Sequence, residues 1–267
     1  MKKISFFAVI LAAMTFTSCG GNKSANDAEQ AGEEKSFEQE QVEAKIKVEL
    51  DSLSAEIARL KKLPILQVGE NGVQLTEQEK QVKPDYLLSP SVAENATTLA
   101  EKYRALSALC VDKQIAAMYD MPTDEYQAAI SKLAADIDDP SFKEIEDVSN
   151  IHETSQKLYD AMNANGRINY FWQMVAGALI EEFYVISQNT DKFITAFDDE
   201  SATAITFRIV LLDEATQRLA SYDSEFDSVA KVTDTLKPLD AITVDQLKQQ
   251  IEEAKENVVE TRNELIK

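Results

Sequence analysis

The sequence predicts an all-α protein, a bundle of about seven helices packed around one buried central helix. The first indication is composition: the 267 residues include only seven Gly and six Pro, and a chain this poor in turn-forming residues is typically helical. The second is the stretch 167–189, RINYFWQMVAGALIEEFYVISQN, which is apolar on nearly every side. A helix of that kind is buried. Its length and polar residues argue against a membrane span.

Residues 1–18 have the pattern of an export signal peptide. Two lysines near the start are followed by an apolar run, residues 4–16, that is too short to span a membrane. The run ends with small residues directly before Cys19, and this pattern resembles the lipobox of bacterial lipoproteins, although Phe16 stands where that family usually has Leu. The resemblance implies that Cys19 becomes the first mature residue and carries acyl chains, palmitate included, on its thiol and amine. An ordinary secretory signal with a chance Cys is the alternative.

Residues 19–36 are predicted to form a flexible tether. After Cys19 this segment contains no aromatic and no branched aliphatic residue, so it cannot bury a core. Several acyl chains anchor a protein stably. We therefore expect the folded domain, residues 37–267, to be held by a lipid anchor at the cell envelope, in the outer membrane. The residues that follow Cys19 leave the periplasmic face and the cell surface both open.

The first predicted helix covers about residues 37–63. Its apolar residues recur at alternating steps of four and three, which is typical of a coiled-coil seam, and Pro64 ends it. Two short apolar runs around Asn71-Gly72 then predict a small β-hairpin at 65–76.

The next helix is predicted to open at Ser91, with Glu94 completing a capping box, and to end at Met121 before Pro122. Apolar periodicity and turn signals predict four more helices before the last one. They are 123–137, 142–162, the central helix 167–189, and a helix after Asn189 that carries Ile205 to Tyr222.

The last helix is predicted to begin at Thr243, with Gln246 as its capping partner. Like the first helix, it carries a narrow apolar seam with heptad-like spacing. We expect the first and last helices to pack side by side.

The central helix carries a polar stripe whose members lie three or four residues apart and so share one face: Gln173, Gly177, Glu181, Tyr184 and Gln188. Gly177 has an alanine on each side, which would let another helix backbone come close. Glu181 is expected in apolar surroundings, where a carboxylate must be hydrogen-bonded, paired or protonated. Three interpretations stay open. Glu181 bonds a Tyr, an Arg or a helix terminus in a structural network, forms a ligand pocket with the other polar members of the stripe, or faces solvent.

Several chemistries are disfavoured by the residue types present. The chain has 27 basic and 47 acidic residues, a net charge of −20, which argues against nucleic acid as a partner. The single histidine, His152, is not part of a Glu-x-x-His motif. The chain has too few Cys and His for structural zinc, and it lacks a Gly-x-Ser-x-Gly elbow, a phosphate loop and a dinucleotide glycine pattern. We expect no catalytic residue, no metal and no cofactor.

Two other features have simple structural explanations. With Cys19 assigned to lipidation, Cys110 is expected to be a small buried hydrophobe. Residues 223–227 alternate oxygen ligands as a calcium loop does, but Ser228 stands where that loop needs Gly. A solvated acidic helix or turn is the favoured interpretation.

A further pattern lies in four runs of sequence: KPDYLLSPSV (83–92), NATTLAEKY (95–103), VDKQIA (111–116) and GALIEEFYVISQ (177–188). These runs resemble helical lipoproteins of Bacteroidetes-type bacteria. In that group the last run reads roughly Gly-x-Trp-Ile-Glu-Gly-Leu-Tyr-x-x-Thr-Gln, and Leu179, Glu182 and Ser187 depart from it here. The resemblance covers about residues 84–220. It implies an exported helical domain of unknown function and points to the same polar face.

These observations favour one function and leave a second open. We expect an exported, membrane-anchored lipoprotein that is a non-enzymatic binding or assembly module. The alternative is a small-molecule-binding bundle with a polar pocket around Glu181.

Overall fold

The computed structural model of the chain describes residues 64–67, 72–145, 148–150 and 154–266, together with the helical residues 44, 45, 48, 53 and 57. Within these ranges the secondary structure is helical and no β-strand occurs. The predicted all-α bundle is therefore confirmed. The signal peptide, Cys19, the tether and His152 lie outside the described residues.

In the ranges just given, the chain forms ten α-helices, numbered here in chain order. They are α1 Glu77–Gln81, α2 Val92–Asn95, α3 Leu99–Met118, α4 Asp124–Ile137, α5 Ser155–Ala164, α6 Ile168–Gln188, α7 Thr190–Phe193, α8 Asp199–Leu219, α9 Phe226–Leu236 and α10 Val244–Leu265. Short 3-10 helices cover Pro64–Leu66, Pro140–Glu144, Val148–Asn150 and Ile194–Ala196.

Helix α6 is the predicted central helix. It begins two residues after the left-handed turn at Gly166, which has a φ of 66°, and ends before Asn189. Most of its side chains are buried, and α3, α5, α8, α9 and α10 all pack against it. Because it contacts helices from both halves of the chain, α6 holds the bundle together.

Helices α3 and α6 lie side by side and run in the same direction. Arg104 on α3 contacts Gln173 on α6, and Asp112, two turns further along α3, contacts Glu181, about two turns further along α6. The contacts advance together along both helices, so the pair is parallel.

The two helices come closest at Gly177. A Cβ atom on this residue would lie 2.7 Å from the backbone oxygen of Arg104 and 2.7 Å from the hydroxyl of Ser107. Real Cβ atoms do not come so close to backbone atoms, so only glycine fits. The expectation that Gly177 admits a second helix backbone is confirmed.

Helix α10 packs antiparallel to α6. Its start is tied to α7, directly after α6, by the ion pair of Lys248 with Asp191 at 2.6 Å. Near its end, Arg262 reaches Glu181 in the second half of α6. The last helix therefore returns along the central one and brings its final turns to the polar face.

The predicted β-hairpin at 65–76 is wrong. Residues 64–66 form a 3-10 helix and residues 72–76 have no regular secondary structure. Ile65 and Leu66 are buried, so the apolar run packs into the helical core as a tight turn. An isolated hairpin would need a sheet to pack on.

The helix predicted from Ser91 begins later, at Leu99. The capping box is built by Thr98 and Glu101: the Thr98 hydroxyl accepts from the Glu101 amide at 3.2 Å, and the Glu101 carboxylate accepts from the Thr98 amide at 2.9 Å. The Ser91 hydroxyl instead bonds Ser89, and only the four-residue α2 follows. Ser91 with Glu94 and Thr98 with Glu101 both match the Ser/Thr-x-x-Glu pattern. Only the second pair forms the capping box in the structure.

The helix predicted over 142–162 is also partly wrong. Asp139 accepts a hydrogen bond from the Ser141 amide at 2.8 Å and opens a 3-10 turn with Pro140 at its first position. The tighter turn buries Phe142, and the chain becomes extended at Ile145. The α-helix of this region, α5, starts only after residue 154.

The sequence also predicts the structure of segment 223–227, the burial of Cys110 and the packing of the first helix. The acidic segment 223–227, expected as a helix or turn, forms a turn at 224–225 and then the start of α9 at Phe226. Cys110 is fully buried, with its thiol 3.6 Å from the Val148 carbonyl, as expected. Leu53 and Ile57 of the first helix are buried, and its packing beside the last helix stays a prediction. In the described part of the chain, no helix has the length and apolarity of a membrane span.

We predict that Gly177→Ala destabilises the protein by about 1–3 kcal/mol, because the new methyl group would overlap backbone that cannot rotate away. Intrinsic helix propensity alone would favour alanine by about 1 kcal/mol, so the expected sign is opposite to that of propensity. Urea denaturation of both proteins measures the difference. Ala178→Gly, one position along α6, is the control and should lose only about the propensity term. Unchanged or increased stability of Gly177→Ala would contradict the close approach.

Candidate functional site: a buried polar cluster around Glu181

The centre of the polar face is an ion pair with no exposure to solvent at Glu181. Arg262 donates from Nε to Oε2 at 2.8 Å and from Nη2 to Oε1 at 3.0 Å. This two-pronged geometry is the strongest arrangement open to an arginine and a carboxylate. Both carboxylate oxygens of Glu181 are thus occupied by a cation from the last helix.

A second carboxyl group lies beside this pair. Asp112 on α3 is fully buried, and its Oδ2 accepts from the Leu88 amide at 2.6 Å. Its Oδ1 has no fixed donor among the described residues, although it faces Glu181. Burial first, and then the negative charge of Glu181, raise the pKa of Asp112 well above its ordinary value.

Two buried carboxyl groups this close favour holding one proton between them. Burial also raises the pKa of Glu181, but the hydrogen bonds and charge of Arg262 oppose that rise. We therefore expect Glu181 to be the charged member and Asp112 the protonated one, with the Asp112 O–H donating to Glu181. The cluster of Glu181, Arg262 and Asp112 then has no net charge, which is the condition for burying it.

Aromatic side chains cover the cluster. The guanidinium carbon of Arg262 lies 4.2 Å from the centre of the Tyr184 ring, a cation–π contact, and Tyr86 meets Tyr184 edge-on at 6.4 Å. Tyr126 donates to the Leu88 carbonyl at 2.9 Å, which fixes the segment that bonds Asp112. Tyr184 therefore shields the ion pair from solvent.

The structure brings together only part of the predicted polar stripe. Glu181 and Tyr184 meet at Arg262, whereas Gln188 is half-buried and its amide lies 3.4 Å from the Tyr184 carbonyl, within its own helix. Gln173 lies two turns away, where its Oε1 accepts from Arg104 at 2.6 Å and its amide donates to the Glu225 carbonyl at 3.2 Å. The four candidate residues do not line one pocket.

Of the three interpretations of Glu181, the geometry excludes solvent exposure and supports a structural network. Solvent exposure is wrong, because Glu181 is 0% exposed. A structural network with an arginine partner is what the contacts form. Cavities of about 70, 370 and 380 Å³ occur in the described part of the chain, and Glu181 lines none of the three.

A separate buried carboxylate follows directly in sequence. Glu182 is 0% exposed and pairs with Arg208 of α8 at 3.3 Å. Burial raises the pKa of Glu182 to about 7, although the charge of Arg208 opposes the rise. Arg208 also borders the 70 Å³ cavity, which is otherwise lined mostly by apolar side chains, among them Trp172 and Leu179.

Sequence reasoning did not single out Asp112, Arg262 or Arg208. Asp112 left a signal, since it interrupts the apolar run ALSALCVDKQIAA at a position that faces the central helix. Arg262 left one as well, since it stands in the apolar seam of the last helix, four residues after Val258 and three before Leu265. Among the described residues, no group of three or more His, Cys, Asp or Glu side chains is placed to hold a metal ion.

Comparisons with known proteins identify no relative of the chain. No protein-family model, no curated protein and no solved structure matches the chain.

The buried carboxyl groups make stability depend on pH with a defined sign. The folded-state pKa values of Asp112, Glu181 and Glu182 are all raised, so the folded protein binds more protons than the unfolded chain above pH ~4. Their contribution to stability is complete below the unfolded pKa values. It is lost as the pH rises through the folded ones, so the free energy of unfolding falls from weakly acidic pH through pH 7.

We predict that Asp112→Asn reduces this pH dependence. An asparagine amide can donate to Glu181 and accept from the Leu88 amide as protonated Asp112 does, but it cannot titrate. The slope of unfolding free energy against pH should become shallower, by at most about 1.4 kcal/mol per pH unit for the single proton removed. Urea denaturation from pH ~5 to ~8 measures it.

The control is Asp136→Asn, which replaces an exposed carboxylate on α4. It should leave the slope as it is in the unaltered protein. Equal slopes for Asp112→Asn and the unaltered protein would show that Asp112 does not hold the proton.

Proposed function

We propose that this protein is an exported lipoprotein, anchored through acyl chains on Cys19, whose helical domain is a non-enzymatic binding or assembly module at the cell envelope. The observation that carries the proposal is the N-terminal pattern: a basic start, an apolar run and small residues directly before Cys19. The segment 19–36 would give the domain reach from the membrane, since its composition favours a flexible chain.

The state of the buried polar groups supports binding over catalysis. A catalytic acid, base or nucleophile must come within hydrogen-bond reach of its substrate. Glu181 is enclosed and both its oxygens are used by Arg262, while Asp112 is enclosed between Leu88 and Glu181. Both carboxyl groups therefore serve packing.

The net charge of −20 limits the classes of partner that this domain would bind. A strongly acidic module is repelled by nucleic acid and by anionic membrane surfaces. A protein partner or a small molecule at the envelope fits this charge, with the membrane contacted through the lipid. The alternative of a ligand pocket centred on Glu181 gains no support from the three cavities described above, because Glu181 lines none of them.

We predict that Cys19→Ser abolishes acylation without preventing export. In a Gram-negative bacterium fed an alkyne analogue of palmitate, the unaltered protein should be labelled and sediment with membranes. The Cys19→Ser protein should be exported but unlabelled and released by osmotic shock. Cys110→Ser, at the buried cysteine, is the matched control and should keep label and anchor.

An unlabelled, soluble form of the unaltered protein would identify an ordinary secretory signal and overturn the anchor.

The binding role is tested on the same membranes. Affinity purification after detergent extraction should retain a stoichiometric partner, and recovery of the protein alone and monomeric, with no bound small molecule in native mass spectrometry, would contradict it.

A further inference from the structure

Gln173, another polar residue of α6, belongs to a different buried group. This group contains a cation, Arg104, on which the charges of Glu101 and Glu225 act without forming an ion pair within 4.0 Å. Arg104 on α3 is 5% exposed. Its Nη1 donates to Gln173 at 2.6 Å and its Nε donates to the Leu265 carbonyl at 3.3 Å. Both acceptors are neutral. Among the described residues, no carboxylate oxygen lies within the 4.0 Å of an ion pair from its guanidinium, and Nη2 has no acceptor.

Arg104 forms part of the wall of an open cleft of about 380 Å³ between α3, the first turns of α9 and the end of α10. That volume lies within the range of small-molecule sites, roughly 300–1,000 Å³. The cleft is mainly polar, since Ser228 and Thr261 contribute hydroxyl groups and Leu265 a short apolar patch. The residues around it thus supply hydrogen bonds and one buried cation.

The remaining charges of the cleft are already engaged. Lys231 pairs with Glu264 at 2.7 Å, so these two cancel. Glu101 uses Oε2 to accept from the amides of Thr97 and Thr98, which fixes its position at the start of α3. Its Oε1 has no hydrogen-bond partner among the described residues. The cleft therefore holds one unpaired cation, Arg104, and one fixed carboxylate oxygen, Glu101 Oε1.

These two groups lie three residues apart on α3 and so face the same side of the helix. The positive end of α9 lies beside them, since Ser228 is in its first turn and no side chain caps this helix. The first N–H groups of α9 are already bonded to Asp223, Ser224 and Glu225, so an oxyanion near Arg104 would meet the Nη2 group of Arg104 and the Ser228 hydroxyl. A cation nearby would meet Glu101.

We propose that this cleft binds a small zwitterion of amino-acid size, with its carboxylate on the Nη2 side of Arg104 and its ammonium group toward Glu101. An arginine fork matches a carboxylate in shape and charge. Phosphate fits less well, because a second negative charge would lie close to Glu101 and Glu264. The site is separate from the Glu181 cluster and does not depend on the lipid anchor.

The test is calorimetric titration of the purified protein with each standard amino acid, with acetate and with inorganic phosphate. At least one amino acid should bind at millimolar concentration or below, more tightly than acetate or phosphate. Arg104→Gln keeps an amide donor for Gln173 and removes the charge, so it should weaken binding by roughly tenfold or more. Arg218→Gln removes a half-buried positive charge on α8 that pairs with Glu214 and does not line the cleft, and it should change nothing.

Because Arg104→Gln could fail to fold, Ser228→Leu is the second variant. It fills the mouth of the cleft from α9 without touching Arg104 and should also abolish or strongly weaken binding. The proposal is overturned if no amino acid binds the unaltered protein, if phosphate binds best, or if binding survives undiminished in Ser228→Leu.

Discussion

The close approach of α3 and α6 at Gly177 is the constraint on which the other contacts of the bundle depend. With only 2.7 Å between a would-be Cβ and the Arg104 carbonyl oxygen, the two helix backbones touch, and their register is fixed to within a residue. From that register, Arg104 lies at Gln173 and Asp112 lies at Glu181. The Arg104–Gln173 and Asp112–Glu181 contacts are therefore both consequences of one glycine.

A second consequence concerns the last helix. Packing α3 against α6 buries Asp112 and Glu181 together, and two adjacent buried carboxyl groups need a proton and a counter-charge. Arg262 supplies the counter-charge from 81 residues further along the chain. Arg104 on α3 also donates a hydrogen bond to the Leu265 carbonyl at the end of the last helix. The C-terminal helix is therefore joined to the centre by polar bonds as well as by its apolar seam, which couples residues far apart in sequence.

The sequence predicts those features that are local. The limits of α6 follow from its apolar surface and from the break at Gly166, and Gly177 and Glu181 stand out because small and charged residues are rare inside such a helix. The partners of Glu181 are not local. Arg262 stands in the apolar seam of α10, between Val258 and Leu265, so its spacing indicates that it points inward. Only the packing of α10 against α6 determines that Glu181 is its partner. The start of α3 shows the same limit, since Ser91 and Thr98 both begin a capping pattern and packing decides between them.

The polar face of α6 around Glu181 forms structural contacts with α3 and α10, and the buried cation without an ion pair is Arg104, against Gln173. The most direct test of this structural role is a double-mutant cycle of Glu181→Gln and Arg262→Gln, followed by urea denaturation. Arg262→Gln alone should cost about 3–5 kcal/mol, because it leaves the buried carboxylate without its cation. The double variant should recover a large part of that loss, because no buried charge remains. Additive effects, or a silent Arg262→Gln, would contradict the claim that this ion pair holds the last helix to the core.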